Sequence, residues 1–210
     1  SILTRRHSSH EFDRWITSRA ASVCAQVDKA YDEYDLTRAV RTIADFVVDD
    51  LSNWYVRLNR RRFWGAENDD DKLDAYATLA RTLLMVSQLA APAAPFFADY
   101  AYRELLGDTA GSGAFPASVH LTDFPVSDRA AIDPELEARM AAAQEVVSLG
   151  RAARAKTRLK TRQPLAEAMV IRPADWNSAL LEPVTALIAA ELNVKKVSIR
   201  ESLEGVGKLA

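Results

Sequence analysis

Cysteine is almost missing from this chain. Cys24 is the only one among 210 residues, so neither an internal disulfide nor a cysteine-rich zinc site can form, and the usage fits a reducing cytoplasm. Histidine is nearly as scarce. His7, His10 and His120 are scattered, no other obvious ligand stands near them, and no metal site is expected there. Only seven glycines occur against abundant alanine, a balance that favours helix over sheet. No apolar run approaches the roughly 20 residues of a membrane span. The first ten residues contain no apolar stretch of the kind a secretory signal needs. They also begin without methionine, as expected of a piece of something longer. Neither sign of charge dominates, since 27 basic and 29 acidic residues leave a formal net charge of −2. Any nucleic-acid binding must therefore come from local patches. Catalytic signatures are missing too: there is no P-loop, no Gly-rich dinucleotide turn and no Gly-x-Ser-x-Gly elbow.

What is present reads as ordinary globular protein, 49% hydrophobic and 27% charged, and long enough to bury roughly 70% of its unfolded surface. Phe12, Trp15, Ile16, Ala20, Val23 and Val27 recur at the spacing of one helix face. Asp35 is placed to cap a second helix, with Leu36, Val40, Ile43, Val47, Leu51, Trp54 and Leu58 in nearly heptad spacing up to Gly65. Carboxylates from Glu67 to Asp71 suit the start of a third helix, where the macrodipole favours them. Leu73, Tyr76, Ala80, Leu83, Leu84 and Ser87 form its inward face. Pro92 and Pro95 close that helix and start a fourth through Phe96, Phe97, Tyr100 and Leu105.

Four helices with short connections predict an antiparallel bundle. Between Gly107 and Pro134 the periodicity dissolves into Gly, Pro, Ser and Thr. A fifth helix then runs through Leu136, Met140, Ala143 and Val147. After Arg162 the pattern is strand (165–171), helix capped by Asp175, and strand (194–199). The expected fold is mainly α: a helical bundle over 1–132, then a basic helix and a small α+β strand-helix-strand appendage over 133–210. Two strands alone are marginal, so more sheet is expected beyond Ala210.

Two basic tracts carry the chemistry. In the first, an apolar stripe runs into Arg57, Arg60, Arg61 and Arg62, flanked by Trp54, Tyr55, Phe63 and Trp64. Guanidinium groups beside aromatic faces can pair with phosphate or stack on bases. On a helix Arg57 and Arg61 share a face, as do Arg60 and Trp64, while Arg62 points elsewhere. Trp54 continues the core stripe, which leaves Tyr55 and Trp64 as stacking candidates. The same cations also suit a solvated helix C-terminus. The second tract, Arg151 to Arg162, has no acidic residue. Arg151, Arg154 and Arg158 fall along one helix face, with Lys156, Lys160 and Arg162 at neighbouring angles. So many like charges raise the energy of the free protein, which an anionic partner relieves. A membrane surface is a weaker rival, because no bulky apolar face accompanies the tract. Asp49-Asp50 and Asp69-Asp70-Asp71 receive no catalytic role, the first pair diverging on a helix and the second explained by capping.

Five segments, 34–41, 47–64, 89–97, 118–121 and 147–165, then match a known family in its own order. They closely resemble the anticodon-binding domain of isoleucyl-tRNA synthetases, a class I family, in what looks like its eukaryotic-type subgroup, from about Phe12 to Ile199. Valyl and leucyl synthetases share the bundle, but the runs 60–64 and 150–154 look most like the isoleucyl type. The resemblance implies a tRNA(Ile) partner held at its anticodon stem-loop, and a parent chain whose catalytic domain uses ATP and magnesium. The catalytic His-Ile-Gly-His and Lys-Met-Ser-Lys-Ser signatures are absent, and Lys156-Thr-Arg-Leu-Lys160 resembles the second only superficially. The piece itself is therefore expected to be a non-catalytic binding module with no cofactor, no metal and no membrane partner.

Charge and exposure nominate Arg57, Arg60, Arg61, Trp64, Arg151, Arg154, Lys156, Arg158 and Lys160 as tRNA-binding residues, with both tracts facing a common polyanion. The rival is a structural helical module that docks a protein partner or braces a catalytic domain.

Overall fold

In a computed structural model, which describes residues 3, 5, 8–65, 69–171 and 178–202, the first apolar stripe folds as helix α1 (Glu11–Asp32). His10 caps it, its Nδ1 accepting from the Phe12 amide at 3.3 Å. Trp15, Ile16, Ala20, Val23 and Val27 are buried, as the spacing requires. The helix closes at Tyr34, whose φ of 58° is left-handed. There the Tyr34 amide donates to the Tyr31 carbonyl at 3.0 Å and the Asp35 amide to that of Ala30 at 2.8 Å, the paired bonds of a Schellman cap. Asp35 caps α2 (Leu36–Asp45) by accepting from the Arg38 amide at 2.9 Å.

The spacing predicts one regular helix from Leu36 to Leu58, and here the structure differs. At Phe46 the chain rewinds into a π-helical segment, Phe46–Val56, in which the bonds close over five residues instead of four. Phe46, Asp50, Leu51, Trp54 and Tyr55 therefore share the buried side, in steps of four and five. A break at Asn59 follows, then the short helix α3 (Arg60–Trp64), ended by Gly65. Asp69 caps α4 (Asp70–Ala90), accepting from the Lys72 amide at 2.8 Å; Glu67, expected to share that role, lies outside the described residues. Pro95 opens α5 (Pro95–Leu106). Helix α1 packs on α2 and α4, and α4 on α5. Ala98, Tyr102 and Leu106 of α5 are buried together with Val119 from the connection that follows.

That connection is held by side chains bonding to backbone, which is why it shows no periodicity. Tyr102 donates its hydroxyl to the Pro116 carbonyl at 3.0 Å and Ser127 to that of Ala21 at 2.7 Å, while the Ser18 hydroxyl accepts from the Asp133 amide at 2.8 Å. These residues belong to the first of two compact units, Ser1–Asp133; the second is Pro134–Ala210.

In the second unit Pro134 opens α6 (Pro134–Lys156), with Leu136, Met140, Ala143 and Val147 buried. Strand β1 (Leu165–Ile171) pairs in parallel with β2 (Val194–Arg200), from Leu165 opposite Val194 to Ile171 opposite Arg200. A parallel pair needs a crossover, supplied by α7 (Ser178–Leu181) and α8 (Thr185–Leu192). The single helix expected there is split by a 3-10 turn, Glu182–Val184, because Pro183 has no amide to continue the ladder. Its expected cap, Asp175, lies outside the described residues. Leu181, Val184, Ile188 and Leu192 are buried. Gly150 of α6 makes room for Leu192: a Cβ there would stand 2.6 Å from its Cδ2.

Candidate nucleic-acid interface

In the first unit, α3 is pinned from beneath by two of its five residues. Phe63 is buried edge-on against Tyr55 and Tyr76, with ring centroids 6.0 and 5.2 Å away. Arg62 reaches inward with its side chain 11% exposed, to an Asp13 side chain that is 1% exposed. It donates to both Asp13 oxygens, at 2.9 and 2.8 Å, to Asn59 Oδ1 at 3.0 Å, and to both Asp71 oxygens at 2.8 and 2.7 Å. Tyr55 adds its hydroxyl to Asp13 Oδ1 at 2.7 Å. Burial alone pushes the Asp13 carboxyl up. The hydrogen bonds from Arg62, Ser8 and Tyr55 outweigh it and hold the group below its ordinary value. Burial and the Asp13 charge push the Tyr55 hydroxyl far up, so it remains a neutral donor.

With Arg62 and Phe63 turned in, Arg60, Arg61 and Trp64 turn out. All three are exposed, Trp64 at 69%. The Arg60 guanidinium carbon lies 5.4 Å from the Trp64 ring centroid, a cation–π contact worth about 0.5–1 kcal/mol when exposed. One face of the indole carries Arg60 and most of the ring remains open. Among the described residues neither Arg60 nor Arg61 has a carboxylate partner. Arg57 is half-buried on the preceding winding, its Nε donating to the Asn53 carbonyl at 2.7 Å.

In the second unit, the basic tract is sorted by burial. Arg151 donates to Glu191 Oε2 of α8 at 2.6 Å, a carboxylate whose side chain is 9% exposed. Arg154 is 5% exposed. Its Nη1 donates to the carbonyls of Lys160 and Gln163, each at 3.0 Å, and its Nη2 to those of Leu192 and Asn193 at 2.7 and 3.2 Å. Helix α6 ends at Lys156, so Arg158 stands beyond it with a φ of 57°. Lys156, Arg158, Lys160 and Arg162 are exposed, and among the described residues their side chains have no hydrogen-bond or ion-pair partner.

Both arginine sets fall inside residues 13–170, which match the family model described as the anticodon-binding domain of tRNA ligase. The chain belongs to that family. It is 46% identical over 196 residues to an isoleucine–tRNA ligase of Bacteroides fragilis, covering 93% of this chain and 17% of that protein. To the isoleucine–tRNA ligase of Dehalococcoides mccartyi it is 46% identical over 191 residues, 91% of this chain and 18% of the relative. With that of Thermus thermophilus it shares 43% over 196 residues, 93% and 19% respectively. The chain thus spans less than a fifth of the length of these relatives.

Against this anticodon-binding domain's structure, several sequence expectations need correction. Tyr55, expected as an open stacking group, is 0% exposed, because the π winding turns it inward. Arg57 and Arg61 do not share one helix face, since the chain breaks at Asn59. Arg151, Arg154 and Arg158 are not one exposed stripe: the first is ion-paired, the second is buried under four carbonyls, and the third lies past the helix end. Arg60 and Trp64 do meet as their spacing predicts, and Trp54 is buried in the core. Arg162, outside the nominated set, is exposed and, among the described residues, unpaired like its neighbours. The signal for it was a basic residue at every second position from 156 to 162. Asp50 of the Asp49-Asp50 pair is buried and accepts two bonds from Arg19, at 3.1 and 3.0 Å. Among the described residues no helix is long and apolar enough to cross a membrane.

Proposed function

We propose that this anticodon-binding domain binds the anticodon stem-loop of tRNA(Ile) and, within a longer cytoplasmic isoleucine–tRNA ligase, positions the tRNA for aminoacylation by a catalytic domain elsewhere in that protein. The observation that carries the reading is the contrast in pairing. Arg5, Arg14, Arg19, Arg38, Arg62, Arg103 and Arg139 all hold carboxylates. Among the described residues Arg60, Arg61, Lys156, Arg158, Lys160 and Arg162 stand exposed without one and clustered in two short runs, whereas Arg41, Arg129 and Lys195, also exposed and unpaired, are scattered. Cations left open in this way suit phosphate, and the open Trp64 ring suits an unstacked base. The choice of isoleucine as the cognate amino acid is supported by the names of the relatives. The eukaryotic-type subgroup, suggested by the residue runs, gains no support from these relatives, which are bacterial. ATP and magnesium belong to the catalytic part. Among the described residues no three carboxylate, histidine or cysteine side chains converge to hold a cation, and none is assigned one here.

Titration of the 210-residue chain with fluorescent tRNA(Ile) and with a tRNA of different anticodon tests the reading, together with a nuclease footprint. The expected result is saturable binding that protects the anticodon loop and prefers tRNA(Ile). Absence of saturable binding even at low salt overturns it.

One observation favours a second role, docking onto the parent's catalytic domain. Between α2, α4 and α5 lies an apolar trough of about 720 Å³, lined by Val40, Val47, Val48, Phe97 and Leu105 among others. Phe97→Glu is expected to weaken binding of a separately produced catalytic domain while sparing tRNA affinity. Equal binding by the variant removes this role.

A further inference from the structure

The segment after α6 is more ordered than a basic tail needs to be. Lys156, Arg158, Lys160 and Arg162 alternate with residues that are tied down. The Thr157 hydroxyl donates to the Ala153 carbonyl at 2.9 Å, and the half-buried Leu159 places its amide on the Arg154 carbonyl at 2.9 Å. The Thr161 carbonyl accepts from Asn193 Nδ2 at 3.1 Å. Beneath them the buried Arg154 guanidinium clamps the carbonyls of Lys160 and Gln163 onto the C-terminal end of α8, whose last carbonyls form the negative pole of that helix.

The turn itself carries strain. The Arg158 amide donates to the Ala155 carbonyl at 3.1 Å and that of Leu159 to Arg154, which makes Arg158 the left-handed position of a Schellman cap, where glycine is favoured. Tyr34 holds the same left-handed position at the end of α1, so the strain marks a non-glycine helix end held by its surroundings rather than function by itself.

We propose that residues 156–162 are a preformed cationic loop for the phosphodiester backbone of an RNA strand, with Arg158 as its central contact and Arg154 as its positioning residue. The proposal rests on the tRNA reading above and adds which element grips the backbone and what holds that element. Four unpaired cations within seven residues repel one another, and a loose tail would spread them. The clamp keeps them together, so the ordering is complete before RNA arrives. Arg154 thus acts on the ligand only through the loop it shapes.

The test uses the 210-residue chain and tRNA across a salt series. Arg154→Lys preserves net charge, but an ammonium cannot span four carbonyls in a plane. It is expected to lose roughly tenfold in affinity, to flatten the salt slope, and to speed amide exchange over 157–163. Arg158→Gly relaxes the left-handed turn while deleting its cation. It is expected to melt no lower than the parent and to bind several-fold more weakly, by about one phosphate contact in the slope. If Arg154→Lys folds and keeps parental affinity and slope, the positioning role is wrong. If it does not fold, judged by circular dichroism, Arg158→Gly decides: parental affinity there overturns the loop as contact. An unsubstituted 210-residue chain that binds no tRNA at low salt sinks the tRNA reading and this loop with it, whereas one that binds, with both variants unaffected, sinks the loop alone.

Discussion

Arg62 and Asp13 show what burial does to an ion pair. Both are drawn from water, and the pair is sustained because Tyr55, Asn59 and Asp71 complete its hydrogen bonds. Arg62→Ala leaves the Asp13 charge uncompensated, so a loss of about 3–5 kcal/mol is expected in urea unfolding. The same pair sets an acid limb. With its folded value held below the ordinary one of about 3.9, Asp13 contributes stability that is fully present above roughly pH 4 and is lost as pH falls through the lower folded value. Asp99, held low by the Ser118 hydroxyl, retains its charge in the folded chain and adds in the same sense. Asp13→Asn is expected to lower stability at neutral pH and to shrink the decline seen as pH falls below about 4. An unchanged acid limb would remove Asp13 as its source.

At the scale of elements, close approach matters as much as charge. Gly150 lies within α6 where Leu192 of α8 fills the space a Cβ would take. An alanine there gains about 1 kcal/mol of helix propensity and meets an overpacking cost of about 1–3 kcal/mol. Gly150→Ala is therefore expected to be destabilising by about 1 kcal/mol, read as a lower melting temperature; a rise would show that Leu192 gives way freely. Strand bounds were legible because β1 and β2 follow breaks in the helical pattern. The π segment was not, since Val47, Leu51, Trp54 and Leu58 satisfy a regular helix equally well. What selects the wider winding is the joint burial of Phe46, Asp50 and Tyr55, with Asp50 meeting Arg19 and Tyr55 meeting Asp13. Those partners stand more than 30 residues away in sequence.

For the whole molecule, a net charge of −2 conceals six open cations in the two basic tracts, among the described residues. If each meets a phosphate, the log-log salt slope of tRNA binding is roughly −4. Replacing Arg60 and Arg61 with Ala removes about 1.4 of that slope, and replacing Lys156, Arg158, Lys160 and Arg162 removes about 2.8. Equal slopes for parent and variants would mean that counterions are released elsewhere. Cation content was visible in the sequence, but availability was not. Composition counts Arg62, Arg151 and Arg154 alongside Arg60 and Lys156, although the first three are committed to Asp13, Glu191 and backbone carbonyls.

From the linear order of residues alone came the helical class, the cap at Asp35, the carboxylate run at the start of α4, the strand positions, the family resemblance and the two regions where basic residues gather. Each depends on neighbours within a few positions, or on matching runs, and survives without knowledge of packing. Which arginines face water was decided by the tertiary structure. An inward guanidinium needs an acceptor brought from a distant segment, Asp13 for Arg62 and the end of α8 for Arg154, and only folding sets those distances.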